Sequence, residues 1–253
     1  MEVRILSGVL LKEVKLEKVA IIGDIHGCSK TLQKLLNYLP KDITTIYSVG
    51  DLIDRGPDSK GVVQLCIDNN IKAVRGNHED MLLDFLDENS QYEKGLFEIN
   101  GGVQTIESYG GDCYFIKDMY GYSPPSYKSS VTLPDEHLKY IKNMPIFIET
   151  DDFILSHAGI HPIIAKGDFG KGKWDDNSIE SNSNLMWNRE GVAPMEKIQI
   201  IGHTPDYEIQ YIKTWGELAA INIDTACGKI SNAKLTAIIM PTQEIMQVIC
   251  EEM

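Results

Sequence analysis

The sequence predicts an α/β (α+β) fold of two packed sheets with helices outside, and three observations predict it. Short apolar runs end repeatedly at glycine, as buried strands end at tight turns. In the first half these runs alternate with amphipathic stretches of helical length. That is the pattern of a parallel arrangement whose site lies at the C-terminal ends of its strands. Towards the end of the chain the apolar runs follow one another with no helix between them, as a series of strands would. The 253 residues are enough to bury about three quarters of the unfolded surface. No internal repeat or long linker divides them, so 1–253 reads as a single domain.

Val19-Ala20-Ile21-Ile22 is the first strand and stops at Gly23. Ser29 is placed to cap a helix carrying Leu32, Leu35, Leu36 and Leu39 on one face before Pro40. Ile46-Tyr47-Ser48-Val49 is the second strand, 58–69 the second helix, and Lys72-Ala73-Val74 the third strand. The character changes over about 80–143, where helices are expected at 80–89, 103–109 and 135–143. The polar, Tyr-, Ser- and Pro-rich segment 114–132 lies among them, and the region reads as a helical elaboration beside the core. Ile146-Phe147-Ile148 and Phe153-Ile154-Leu155 flank an acidic turn and read as a hairpin. Segment 165–184 is a long polar, Gly-rich loop. Runs at 198–201, 218–223, 235–240 and 245–250 complete the strands.

Charge and composition exclude several classes of function. Lys and Arg number 24 against 37 Asp and Glu, a net charge of −13. So acidic a chain lacks the basic surface that broad binding to nucleic acid or anionic membrane requires. No apolar run reaches the roughly 18 residues of a membrane helix. The N-terminus is interrupted by charge and has no signal-peptide core, so a cytoplasmic location is expected. The five cysteines are scattered and never spaced CxxC. That argues against a disulfide framework or a thiolate zinc site and for a reducing compartment.

Five short blocks concentrate the chemistry. They are Gly23-Asp24-Ile25-His26-Gly27, Gly50-Asp51-Leu52-Ile53-Asp54-Arg55-Gly56, Gly76-Asn77-His78-Glu79, Ser156-His157-Ala158-Gly159 and Gly202-His203-Thr204. Each follows an apolar run, so five strand ends converge on a patch of Asp, Asn and His. Carboxylate, amide oxygen and imidazole without thiolate suit Mn, Fe or Zn in a catalytic site. Such a set can hold two ions about 3.5–4 Å apart bridged by one carboxylate. The ions would make the site positive inside an acidic protein, and would attract phosphate where the rest of the surface repels it. Of the other histidines, His137 reads as solvated on a polar helix and His161 as peripheral, because Gly159 and Pro162 break any helix joining it to His157. Cys28 reads as a bystander thiol.

On these blocks the chain resembles the calcineurin-like metallophosphoesterases, and within them the bacterial and phage branch of the phosphoprotein phosphatases. The resemblance runs from Ile21 to about Ala237. It implies that Asp24, His26 and Asp51 hold a first metal, and that Asp51 bridges to a second held by Asn77, His157 and His203. Manganese is the first expectation for both, with Fe, Zn, Ni or Co suited to the same donors. The resemblance further implies direct attack on phosphorus by a water or hydroxide bridging the metals. His78 would be the general acid, Asp54 its orienting partner, and Arg55 a clamp on phosphate oxygens. Leu185-Met186-Trp187-Asn188-Arg189 matches a stretch that supplies a second arginine, here Arg189. Ser156-His157-Ala158-Gly159 and Ile223-Asp224-Thr225-Ala226-Cys227-Gly228 are the branch's features. Ala226, Asn232 and Ala233 stand where glycines are common, which brings the last turn into question.

Three functions compete at this level. The first is a phosphatase acting on phosphoserine or phosphothreonine in proteins, with phosphotyrosine and small phosphate esters as further substrates. The second is a hydrolase of diadenosine tetraphosphate; His26 counts against a symmetrically cutting one, which typically carries Gln there, whereas asymmetrically cutting or dual-activity relatives retain His. The third is a phosphoprotein-binding scaffold without turnover, which would predict loss of His78, Asp54 or Asp51. Substrate choice is expected from the variable segments, through Tyr114, Tyr120, Tyr122 and Tyr127 in one and Phe169, Lys171, Lys173 and Trp174 in the other. Nothing in the sequence sets an oligomeric state, and a monomer is the default.

Overall fold

The computed structural model describes residues 17–88, 95–116, 126–162 and 185–252. Phe169, Lys171, Lys173 and Trp174, with Tyr120 and Tyr122, lie outside the described residues.

The first half builds as expected: β1 (Lys18–Ile22), α1 (Ser29–Tyr38), β2 (Ile43–Ser48), α2 (Ser59–Asp68), β3 (Lys72–Ala73) and α3 (Asn77–Leu86). β1 pairs parallel with β2, and β2 with β3. Two ends differ from the expectation. Cys28, not Ser29, is the cap residue of α1. The Ser29 hydroxyl instead donates to Asp58 Oδ2 at 2.6 Å, and Asp58 caps α2 by accepting from the Gly61 amide. The third helix begins three residues before the predicted 80, because Glu79 reaches back to accept from the Gly76 amide at 2.9 Å. Asn77 and His78 therefore stand on a helical first turn and not in a loop.

The region beyond α3 corrects the sequence reading. α4 (Val103–Ser108) and α5 (Asp135–Lys142) are present. Between them β4 (Asp112–Ile116) and β5 (Ser126–Ser130) pair antiparallel as a two-stranded sheet, so the elaboration is mixed rather than helical. Both strands are largely exposed, and no apolar face marks them in the sequence. Phe115 and Tyr127 face each other across the ladder, ring centroids 5.3 Å apart. His137 is not solvated either. It is buried, Tyr109 Oη lies 2.8 Å from its Nδ1, and its Nε2 lies 3.0 Å from Gln64 Oε1.

The remaining strands are β6 (Phe147–Glu149), β7 (Phe153–Ser156), β8 (Ile198–Ile201), β9 (Gln210–Thr214), β10 (Glu217–Asn222), β11 (Lys234–Met240) and β12 (Glu244–Ile249). One sheet runs β12-β11-β1-β2-β3 and the other β6-β7-β8-β10-β9. β7, β8 and β10 are mutually parallel. Ile21, Val49, Val74 and Ile238 pack with Phe153, Leu155, Ile200 and Ile221 between the two sheets. Ile22, Leu235 and Ala237 face the opposite way and pack with Leu32, Leu35, Val62 and Val63. Ile154 and Ile201 belong to apolar clusters outside the second sheet. Sheets covered on both faces explain why their strands read as continuous apolar runs. Each large apolar side chain so buried contributes roughly 2 kcal/mol. Two sheets, each with its parallel strands pointing the same way, bring their C-terminal ends to one edge of the sandwich. Among the described residues no helix is long and apolar enough to cross a membrane.

Candidate active site

The residues singled out in the sequence stand at those strand ends. Asp24 and His26 follow β1, Asp51, Asp54 and Arg55 follow β2, and Asn77 and His78 follow β3. From the second sheet, His157 follows β7 and His203 follows β8. Every one of these except Arg55 is buried.

The backbone is bent hard to achieve this. His26, Asp51, Asp54, Arg55 and His203 all have positive φ, between 46° and 72°. Such conformations cost roughly 1–3 kcal/mol each in non-glycine residues and persist where surrounding structure imposes them. Glu79 supplies part of that imposition. Its fully buried carboxylate accepts from the amides of Asp51 at 3.0 Å, Leu52 at 2.8 Å and Gly76 at 2.9 Å. Gly76 and Gly202 allow the close approach, since a Cβ at either would overlap Asp51 Oδ1 or Asp24 Oδ1.

Asp51 stands at the centre, and its two oxygens face different partners. Oδ2 lies 3.5 Å from His26 Nε2, and Oδ1 lies 3.3 Å from His157 Nε2. On one side, the His26 ring binds the Ile53 carbonyl through Nδ1 at 2.9 Å, which leaves a lone pair on Nε2. That lone pair has no hydrogen-bond partner, and the carboxylates of Asp24 and Asp51 face it at 3.8 and 3.5 Å. On the other side, His157 binds the Val49 carbonyl through Nδ1 at 2.8 Å. Its Nε2 lies 3.0 Å from Asn77 Oδ1 and 3.2 Å from His203 Nδ1, and the latter lies 2.9 Å from Asn77 Oδ1. Each cluster is an excess of buried acceptors pointed at one another, an arrangement that a cation between them satisfies.

The charge states follow the same logic. Burial, then Asp224, pushes the Asp24 carboxyl up to about 8. Burial opposes a charge on His157, but Asp51 outweighs it and raises the imidazole to about 9. Burial and the neighbouring His157 press His203 down to about 2, with Arg189 adding to the effect. Protons at Asp24 and His157 thus meet part of the demand that two cations would meet. The residues fit a dinuclear divalent centre.

Beside these clusters stands a proton-holding pair. His78 Nδ1 lies 2.6 Å from Asp54 Oδ2, and His78 Nε2 lies 3.8 Å from Asp51 Oδ2. Burial lowers the His78 pKa, but Asp51 and Asp54 outweigh it and the net direction is upward. Asp54 is fixed in turn by α4. The Thr105 hydroxyl donates to Asp54 Oδ1 at 2.6 Å, and the Asp54 amide donates to Thr105 Oγ1 at 2.9 Å. Arg55 Nη2 lies 3.3 Å from His78 Nε2, and the Arg55 amide donates to the Gly101 carbonyl at 3.0 Å. Arg189 is exposed, near enough for its charge to act on His203.

Sequence reasoning missed three contributors. Glu79 and Thr105 act through the backbone and side chain of others, and no spacing marks that role. The Lys229 side chain is 6% exposed, with its ammonium 3.1 Å from Asp24 Oδ2 and 2.8 Å from Asp224 Oδ2. The signal available was the charged pair in the stretch Asp224 to Lys229, but its reach to Asp24 spans 205 residues. The last turn keeps the shape that was in question, for Ala226 and Asn232 adopt positive φ of 64° and 62° without glycine. His161 sits at the periphery, 3.5 Å from Glu190.

Comparison with known proteins gives the family. The chain is 40% identical over 182 residues to serine/threonine-protein phosphatase 2 of Escherichia coli, covering 71% of this chain and 68% of the relative. It is 45% identical over 86 residues to serine/threonine-protein phosphatase 1 of Salmonella typhimurium, but that match spans only 38% of the relative's length. It is 27% identical to the asymmetrical bis(5'-nucleosyl)-tetraphosphatase PrpE of Oceanobacillus iheyensis, over 91% of this chain and 92% of the relative. Among solved structures, a metallophosphoesterase from Sphaerobacter thermophilus shares the fold, with a TM-score of 0.50 at 17% identity over 93% of this chain and 88% of that one. The family model for calcineurin-like phosphoesterases matches residues 17–226, and the chain belongs to that family of phosphoester hydrolases.

Proposed function

We propose that the protein is a metal-dependent phosphomonoesterase acting on phosphoserine and phosphothreonine in proteins, with phosphotyrosine as a further substrate. The chain acts as a single catalytic domain. The observation that carries this reading is the Asp54–His78 pair. An alkoxide leaving from a serine or threonine ester is strongly basic and departs only if a proton reaches it. A nucleotide leaving from an anhydride is not, and gains far less from a general acid. His78 Nδ1 is 2.6 Å from Asp54 and the pair is fastened by Thr105, which suits the first task.

In this proposal Asp24, His26 and Asp51 hold one divalent ion, and Asp51, Asn77, His157 and His203 hold the other. Mn is the first choice; Fe, Zn, Ni and Co suit the same donors. When bound, the two ions lower the pKa of an attacking water and offset phosphate charge. The protein's own groups do the rest. His78 delivers its Nε2 proton to the leaving oxygen. Asp54 keeps the ring oriented and charged. Arg55 grips the phosphate oxygens, and Arg189 completes the clamp from the rim.

The leaving-group series tests this. His78→Asn should lower kcat by about 10²–10⁴-fold on an alkyl phosphate, with both metals retained. The loss should shrink towards nothing on p-nitrophenyl phosphate, whose leaving group needs little protonation. An equal loss on both substrates would remove His78 from the acid role.

A second reading, hydrolysis of dinucleoside polyphosphates, is supported by the similarity to PrpE along almost its whole length. It uses the same metal ligands and differs in the bond cut. Parallel turnover of the two substrate classes separates the two readings.

A further inference from the structure

Away from the acceptor clusters, the structure assembles a second set of ligand-type side chains. Cys28 starts α1, Cys227 lies in the turn after β10, and Cys250 follows β12. Their three sulfurs lie within 4.8 Å of one another, with Cys28 and Cys250 at 3.5 Å. All three are buried, at 0%, 0% and 5% exposure. The scattered spacing that argued against a thiolate site is overridden because three distant segments meet here.

The three cysteines belong to the apolar cluster under α1, and within it their sulfurs face each other. An ion bound about 2.3 Å from each of three sulfurs sets the sulfurs about 4 Å apart, which lies within the observed spacing. The cluster lies at the start of α1. The amides of Lys30 and Thr31 hold the Glu252 carboxylate at 2.6 and 3.2 Å, and Glu252 Oε2 lies 4.0 Å from Cys250 Sγ. One oxygen donor is therefore within reach of a fourth position.

We propose that Cys28, Cys227 and Cys250 form a three-sulfur site for a thiophilic divalent d10 cation of the Zn(II) type, with Glu252 as the nearest fourth ligand. The site is separate in kind from the oxygen and nitrogen clusters around Asp51, since soft sulfur donors select such ions while Asp, Asn and His suit Mn or Fe. Its role would be structural. Cys28 is two residues from His26 and Cys250 follows β12, so an ion here would fasten the turn carrying His26 to the C-terminal strand, in place of the hydrogen bond that the Cys28 thiol donates to the His26 carbonyl.

Cadmium serves as the probe, because thiolate-to-cadmium charge transfer absorbs in the ultraviolet and none of the proposed ligands around Asp51 is a sulfur. The full chain, reduced and preloaded with Mn(II), is titrated with Cd(II) without oxygen. One equivalent should produce the band. Cys227→Ala should abolish it or weaken binding at least about tenfold, and Cys66→Ala should leave it unchanged. Cys250→Ser, at the least buried of the three positions, provides the same test if Cys227→Ala does not fold. Absence of the band in the reduced wild type would overturn the proposal. So would a band of full affinity in Cys227→Ala or Cys250→Ser. A Cys28–Cys250 disulfide in air-exposed protein, with no cadmium taken up by the reduced form, would make the cluster a redox pair instead.

Discussion

At the residue scale the site turns on Asp51. Its carboxylate is buried, reaches His26 with one oxygen and His157 with the other, and accepts from the His78 amide at 3.2 Å. Burial works against its charge, yet His157, His78 and His26 together hold it well below the ordinary carboxylate range. An amide at this position keeps the shape and loses the charge. Asp51→Asn should therefore bind both metals more weakly, read as fewer than two ions per chain after dialysis, with activity falling in parallel. A fully loaded, active variant would contradict the bridging role. The side chains of the five blocks were legible because each block contains glycine and follows an apolar run. Glu79, Thr105 and Lys229 were not, because their work is to hold other residues across long separations. Thr105, for example, meets Asp54 from 51 residues away.

At the scale of elements, α4, the residues flanking it and α5 tie the elaboration to the core. Thr105 of α4 reaches Asp54, and the Gly101 carbonyl before α4 accepts from the Arg55 amide. His137 links α5 to Tyr109 after α4 and to Gln64 of α2. Burial lowers the pKa of His137 from 6.5. The folded state therefore resists a proton that the unfolded chain accepts. Stability from this group is complete above about 6.5 and falls as pH drops through that value. Urea midpoints measured from about pH 8 to 5 should fall with acid, and His137→Gln should show a smaller fall than wild type. An identical pH dependence in the two proteins would mean that His137 does not couple folding to pH. The sequence misled here because the polar helix around His137 hides which face packs. β4, β5 and β9 were equally hidden. Their residues are all partly or fully exposed, so they lack the apolar runs that marked the core strands.

On the scale of the whole molecule, two sheets with parallel centres direct six strand ends to one edge, and the acidic chain gathers its metal-type donors there. That architecture was legible in outline because sheets buried on both faces announce themselves as apolar runs. The choice of substrate was not, because the relatives include both phosphatases and dinucleotide hydrolases. The central claim is that this edge performs metal-dependent phosphoester hydrolysis on phosphoproteins. The most direct measurement is turnover by the metal-stripped protein, with and without Mn(II), of a phosphothreonine peptide and diadenosine tetraphosphate in parallel. The account predicts Mn-dependent release of phosphate from the peptide, with slow cleavage of the dinucleotide. Rapid conversion of the dinucleotide beside an inert peptide would contradict it, and the products, two ADP or ATP with AMP, would then show which anhydride bond is cut.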